Sequence, residues 1–516
     1  MRVFAFVIVV GGILSPAWAL ESRLQVSGGQ ISGTTENGAQ AFKGIPFAAP
    51  PVGDLRWKPP HPILPWDDVK ACTKFGPACP QPVAPPDSFY AYTNPTEFDE
   101  NCLFLNVWTA AESADERRPV MIWFHGGGLT RCSGADARSN GANLARKGVV
   151  LVTVNYRLGP LGFLAHPELT DEEPKGVSGN YGVLDQIAAL RWVRENIAQF
   201  GGDAKNVTIF GQSAGSWSVQ TLVASPLAKG LFHRAIGQSG GLFGDTTWLD
   251  RAKEGERSGH QIGEDFFEAC EVKTVSEARA LPPSKLLKAM TQKGRSFQTR
   301  PIVDGWVLPG SLDDIYQSGR QNDVPMIVGS NANEWSSLTA PAYLPKTTSE
   351  LNEQIGRILP NAVFNDFTNV FGGDTDDTAP EAYLAMMRDL VFSSQMRQWA
   401  RAMENVTSDA YVYYFTAAPP IPNSDYLGAY HSAEVPYPFQ NISPSFGDAD
   451  RALSDAMSEY WVNFAKTGDP NGAGLPKWEP YNLDSEPFME LGPTLLPGNY
   501  LLKPELDYLD ELRPAK

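Results

Sequence analysis

Four stretches of this chain are apolar at nearly every consecutive position: PVMIWF (119–124), GVVLVTVNY (148–156), NVTIF (206–210) and PMIVG (325–329). Short runs that are apolar on both faces predict buried, mostly parallel strands. Between them, YGVLDQIAALRWVRENIAQF sets Val183, Ile187, Leu190, Val193 and Ile197 at three- and four-residue spacing, which is one face of a helix. Strands and helices in alternation imply an α/β sheet with right-handed crossovers. Residues 24–57 read differently, as short β-like runs broken by turns (LQVSGGQISGTT), and predict a meander ahead of the sheet. A proline-rich loop follows, KFGPACPQPVAPPDSFYAY. Residues 245–376 are more helical and polar and read as decoration on one large domain, residues 20–516.

Composition narrows the choice of partners. With 516 residues, 42% hydrophobic and 20% charged, the chain can bury a large core. Its net charge of -17 argues against a nucleic-acid partner, which requires clustered Lys and Arg. The first 19 residues combine Arg2, the apolar run VFAFVIVVGGIL and a small-x-small AWA ending at Ala19. That is the pattern of a cleaved secretory signal peptide, too short to span a bilayer comfortably, which takes ~20 residues. No later segment is apolar enough to span, so a secreted or periplasmic protein without a transmembrane segment is expected. Export permits disulfides. The five cysteines are Cys72, Cys79, Cys102, Cys132 and Cys270, an odd number that leaves at least one unpaired.

The chemistry is concentrated in IFGQSAGSWS, from Ile209. Strand, G-x-S-x-G and helix in that order form a nucleophile elbow with Ser213 at its tip. A serine held in a strained turn leaves no room for side chains two residues before or after it, hence Gly211 and Gly215. A serine also needs a base. In the elbow arrangement the chain order is serine, acid, histidine, so the candidates among six histidines are His233, His260 and His431. His233 is too close to Ser213 and His260 lies in a polar helical stretch, which leaves His431 in GAYHSAEVPYPF. For the acid, Glu334 follows the apolar run PMIVG and is favoured over Asp304, which follows the shorter run RPIV. WFHGGGLT places bare backbone N–H groups of Gly127 and Gly128 after a strand, where they can form an oxyanion hole with the Ala214 amide. Nothing in these motifs calls for a metal or cofactor.

With these residues in place, the chain resembles the type-B carboxylesterases, a family that also includes cholinesterases, several lipases and catalytically dead neuroligins. The similarity runs from about Gly28 to Pro470, through FKGIPFAAPPVGDLRW, ENCLFLNVW, GQSAGS, NYRLGPLGFL, FHRAIGQSG, GSNANEW, GAYHSAEVPYPF and WVNFAKTGDPN. The resemblance implies an α/β-hydrolase fold: a large, mostly parallel central sheet flanked by helices, with an N-terminal β meander. It implies Ser213, Glu334 and His431 as a triad, Gly127, Gly128 and Ala214 as the oxyanion hole, and Ser239 as a hydroxyl beside the triad. It also implies a Cys79–Cys102 disulfide; Cys270 matches half of a second family bridge, and Cys72 and Cys132 have no family counterpart. The chain departs from the family at Gln212, where many relatives carry glutamate, and at Trp335, where a glycine is usual. The loop from Cys79 to Cys102 holds Tyr90 and Tyr92 but no tryptophan, so choline esters are not expected.

The expected substrate is a small-molecule ester, uncharged and short-to-medium acyl or aryl, in a pocket shaped by Leu129, Trp217, Trp335, Tyr437 and Phe439. Two other functions fit the same fold: a binding or adhesion module without catalysis, and an interfacial lipase, for which PVAPPDSFYAYTNPTEF makes only a weakly apolar lid.

Overall fold

The four apolar runs all become strands near the middle of one eleven-stranded sheet. In chain order its strands are β1 (Thr34–Glu36), β2 (Ala39–Pro46), β3 (Phe104–Thr109), β4 (Arg118–Phe124), β5 (Val150–Val154), β6 (Gly202–Gln212), β7 (Arg234–Gln238), β8 (Met326–Asn331), β9 (Ala410–Phe415), β10 (Pro487–Leu491) and β11 (Leu495–Asn499). Their spatial order is β11-β10-β9-β8-β7-β6-β4-β5-β3-β2-β1. From β5 across to β10 the neighbours are parallel, and the pairs at both edges are antiparallel. The structure is a computed structural model that describes residues 22–512 apart from 87, 253–254, 292–296 and 298. The expected leader, residues 1–19, lies outside the described residues.

The continuous apolar character of these strands has a direct cause. In β4, Val120, Ile122 and Phe124 pack into a core on one face, while Met121 and Trp123 pack into a second core on the other. The first core takes the helix α1 (Tyr181–Asn196), through the face Val183, Ile187, Leu190 and Val193, and the helix α2 (Ala214–Ala224). The second core is closed by α3 (Asp448–Thr467), through Leu453, Met457, Trp461 and Phe464. Burying each such side chain is worth ~1.5–3 kcal/mol, so both faces must be covered.

The N-terminal runs divide between two places. Arg23–Val26 and Gly29–Ser32 form an antiparallel hairpin extended by Lys70–Ala71, whereas β1 and β2 join the edge of the main sheet. The reading of residues 245–376 as decoration needs one correction, because β8 lies inside that range and at the centre of the sheet. The helices around it do form satellites: Gly259–Cys270 and Pro283–Met290 share one small core, and Thr348–Ile358 and Phe364–Phe371 another.

The register lines up the ends of the parallel strands. Phe124 of β4 is opposite Gly211, Gln212 of β6 is opposite Gln238, and Gln238 of β7 is opposite Gly329. The residues that follow, His125–Gly128, Ser213, Ser239 and Glu334, therefore emerge at one edge, the carboxyl end where open α/β sheets place their ligands.

Candidate active site

Ser213 sits between β6 and α2 with φ 58° and ψ -124°, a conformation disfavoured for a side chain with a Cβ. The neighbours that tolerate it are glycines for a measurable reason. A Cβ on Gly215 would lie 2.0 Å from the Phe124 carbonyl oxygen, and one on Gly211 would lie 2.5 Å from the backbone of Gly215. The turn is pinned by the Ser213 N–H, which donates to the Gln238 carbonyl at 2.8 Å. Ala214 begins the helix, so its amide faces the side on which developing negative charge is favoured. Gly127 and Gly128 both have positive φ, 95° and 64°, which turns their amides away from an ordinary strand direction.

His431 lies in the loop after β9 and is nearly buried. Its Nδ1 is 2.5 Å from Glu334 Oε2. The other oxygen of Glu334 accepts the Asn331 N–H at 2.8 Å, and the carboxylate is wholly shielded from solvent. This geometry places the proton on Nδ1 and leaves Nε2 as the acceptor nitrogen of the ring. The Gln212 amide nitrogen lies 3.2 Å from Nε2. The Phe392 ring packs on the imidazole at 4.8 Å, from a π-helical turn (Asp389–Ser393) of a kind that recurs at functional sites. The Tyr90 hydroxyl donates to the His431 carbonyl at 2.9 Å. Tyr90 belongs to the loop closed by a disulfide between Cys79 and Cys102, the pairing that the resemblance implies.

Asp304 is committed elsewhere. One of its oxygens accepts the N–H groups of Trp306, Val307 and Leu308, and the other accepts from the Asn180 side chain. It is a turn-forming carboxylate, and no histidine is among these partners.

A cavity of about 470 Å³ opens over these groups. Ser213, His431, Gln212, Gly126, Gly127, Gly128, Trp217 and Trp335 all line it. Three of the five residues expected to shape the pocket do not. Leu129, Tyr437 and Phe439 are fully buried in the two cores, Leu129 on one face of the sheet and the other two on the opposite face. Flanking a motif in sequence did not place them on its wall. Ser239 is also fully buried, with φ 53° and its N–H donated to the Gly329 carbonyl at 2.8 Å.

Sequence reasoning missed several groups. Glu434, three residues after His431, is completely buried; burial, with the nearby Glu334 charge, pushes its carboxyl up to about 7. Asn331 links the two acids, because its side chain donates to Glu434 at 2.6 Å while its backbone donates to Glu334. The signal was present in HSAE, where the acid stands three residues from the candidate base. His125 stacks on Tyr156 at 4.4 Å, and burial lowers its pKa to about 4, so it is neutral. The cavity wall also carries Arg131, Asp136, Arg138 and Arg300, none of them foreseen. The guanidinium of Arg131 lies over the Tyr90 ring at 5.9 Å, which leaves that face unsuited to a cationic ligand. Among the described residues, no group of three or more His, Cys, Asp or Glu could hold a metal ion, and no helix is long and apolar enough to cross a membrane.

A parallel sheet with a nucleophile elbow at its carboxyl edge is the α/β-hydrolase fold. The carboxylesterase family profile matches residues 21–507, and the chain belongs to that family: it is a carboxylic ester hydrolase. It is 36% identical to the fumonisin B1 esterase of Sphingopyxis macrogoltabida, over 87% of this chain and 83% of that protein. It is 33% identical to the para-nitrobenzyl esterase of Bacillus subtilis (strain 168), over 95% and 98%. Among solved structures, a PNB esterase superposes with a TM-score of 0.80 at 31% identity, covering 95% of this chain and 99% of that one. A Geobacillus stearothermophilus carboxylesterase superposes equally well, covering 94% and 99%.

Proposed function

We propose that this carboxylesterase works through an acyl-enzyme formed on Ser213. The serine Oγ attacks the ester carbonyl, and His431 Nε2 takes its proton. The resulting oxyanion is received by the amides of Gly127, Gly128 and Ala214. His431 then returns the proton to the leaving alcohol, and water repeats the sequence on the acyl-enzyme. Glu334 fixes the Nδ1–H tautomer and stabilises the imidazolium without itself taking the serine proton. Ser239 supports the turn behind the triad. The observation that carries this reading is the 2.5 Å pairing of Glu334 with His431 beside an elbow serine that opens into the same cavity.

The chain is further proposed to be exported, losing residues 1–19 and folding 20–516 as one catalytic domain. A buried disulfide suits that destination. The test of the mechanism is Ser213→Ala, assayed on 4-nitrophenyl butyrate, together with mass spectrometry of wild type treated with a phosphonate ester. Turnover should fall by several orders of magnitude, approaching the ~10⁶ seen when a triad acts as a unit. One adduct should form in wild type, on Ser213. A variant that keeps a tenth of wild-type turnover, or an adduct elsewhere, would overturn the assignment.

A further inference from the structure

The charge on the cavity wall is not what a site for uncharged esters requires. Arg131, Arg138 and Arg300 all line it, in a protein whose net charge is -17. Two of the three are neutralised locally. Arg138 grips Asp136 through Nε and Nη2, the latter at 2.7 Å, and although burial pushes the Asp136 carboxyl up, the guanidinium beside it holds it below its usual range. Arg300 holds Asp245 at 2.7 Å and lies over Trp217, its guanidinium 4.4 Å from the ring centre.

Arg131 differs. Its Nη2 donates to the Tyr90 carbonyl at 3.1 Å and to Thr93 Oγ1 at 2.9 Å. Both acceptors are uncharged, and among the described residues no carboxylate lies within ion-pairing distance of Arg131. Its Nε and Nη1 make no hydrogen bond among the described residues. The residue is anchored beside the oxyanion loop, since its backbone N–H donates to the Gly127 carbonyl at 3.1 Å, and its side chain lines the same cavity. Arg131 is thus a half-buried cation without a counter-ion on the wall of a cavity that also carries Trp335, Leu338, Val391 and Phe392. A carboxylate arriving with the substrate would supply the missing counter-charge, and a guanidinium already oriented by Tyr90 and Thr93 still has its Nε–H and Nη1–H to donate to it.

We propose that the ester cleaved at this site carries a carboxylate in addition to the scissile ester, and that Arg131 binds it. The proposal rests on the serine-esterase reading above. Tyr90 connects the two functions, because it holds Arg131 through its carbonyl and touches His431 through its hydroxyl.

Two matched substrate pairs test this, one for each side of the ester. The acyl side is read with mono-(4-nitrophenyl) adipate against its carboxamide isostere. The alcohol side is read with 4-carboxyphenyl butyrate against 4-carbamoylphenyl butyrate. Wild type should prefer the anion in at least one pair, by about ten-fold or more in kcat/KM, the scale of a charge-assisted hydrogen bond. In Arg131→Gln that ratio should collapse towards one. No preference in either pair, with the neutral esters still cleaved, would overturn the proposal and leave the serine-esterase reading standing. A preference that survives Arg131→Gln would remove Arg131 from the role. Hydrolysis of none of the four esters would overturn both readings. Should the variant fail to fold, competitive inhibition of wild type by adipate against adipamide decides, and equal inhibition refutes the proposal.

Discussion

The carboxylate of Glu334 accepts two hydrogen bonds at once, from the Asn331 N–H and from His431 Nδ1–H. The variant Glu334→Gln keeps the shape but offers one acceptor and one donor. Two arrangements are open to it, and both fail. If the amide oxygen serves Asn331, the amide N–H₂ faces His431 and forces the ring proton onto Nε2, the nitrogen that receives the serine proton in the proposed mechanism. If the oxygen serves His431 instead, two donors meet at Asn331, at ~1–3 kcal/mol for an unsatisfied buried group, and no charge remains to stabilise the imidazolium. Water cannot relieve either arrangement, because Glu334 has no exposed surface. Loss of the orienting carboxylate in a serine-histidine-acid system costs ~10⁴ in kcat. We therefore expect kcat on 4-nitrophenyl butyrate to fall by ~10³–10⁴, with KM changed far less. Asp304→Asn is the control. Its carboxylate serves three backbone amides and the Asn180 side chain, so this change should cost ~1–3 kcal/mol in urea unfolding and only a few-fold in kcat. A Glu334→Gln enzyme with more than a tenth of wild-type kcat, or a larger kcat loss in Asp304→Asn, would refute the reasoning.

Three further outcomes follow from the same geometry. Glu434 has a folded pKa of about 7, above its ordinary value of 4.5, so the folded state binds the proton more tightly and stability falls as pH rises from about 4.5 to about 7. At ~1.4 kcal/mol per unit that fall amounts to at most ~3–4 kcal/mol, and Glu434→Gln should flatten it in urea titrations across this window; an unchanged slope would count against the assignment. Gly215→Ala puts a methyl 2.0 Å from the Phe124 carbonyl, so the elbow must shift. It should lose ~1–3 kcal/mol of stability and most of its turnover, whereas wild-type kcat in this variant would show that the elbow tolerates a Cβ. Replacing both Cys79 and Cys102 by Ala opens a loop whose ends are 23 positions apart. The expected cost is ~3 kcal/mol of stability, together with a rise in KM because Tyr90 and Thr93 on that loop line the cavity, and thermal unfolding unchanged from wild type would refute it.

Much of the fold was legible in the chain because its causes are local. Strands buried on both faces must be apolar throughout, as β4 shows with Val120, Ile122 and Phe124 on one side and Met121 and Trp123 on the other. The elbow was legible for the same reason: the space denied at Gly211 and Gly215 is denied by atoms of the turn and the adjacent strand. Sequence also narrowed the base to His431 and the acid to Glu334 or Asp304. What it could not supply was adjacency. Glu334 and His431 stand 97 positions apart, and only the parallel register of β8 and β9 brings their loops together. Asp304 lost its candidacy because a turn of backbone amides closes on it, an arrangement that no residue type announces. The cavity wall was the least legible part. Leu129, Tyr437 and Phe439 lie beside the motifs in sequence yet point into the cores, whereas Arg131 and Arg138, from the connection after β4, and Arg300, from a segment distant in the chain, reach the cavity. Periodicity reports whether a side chain is buried, but which surface buries it, core or cavity, depends on contacts between segments far apart in the chain. That is why the candidate catalytic residues could be named from the sequence, while the charged groups on the cavity wall emerged only in the folded molecule.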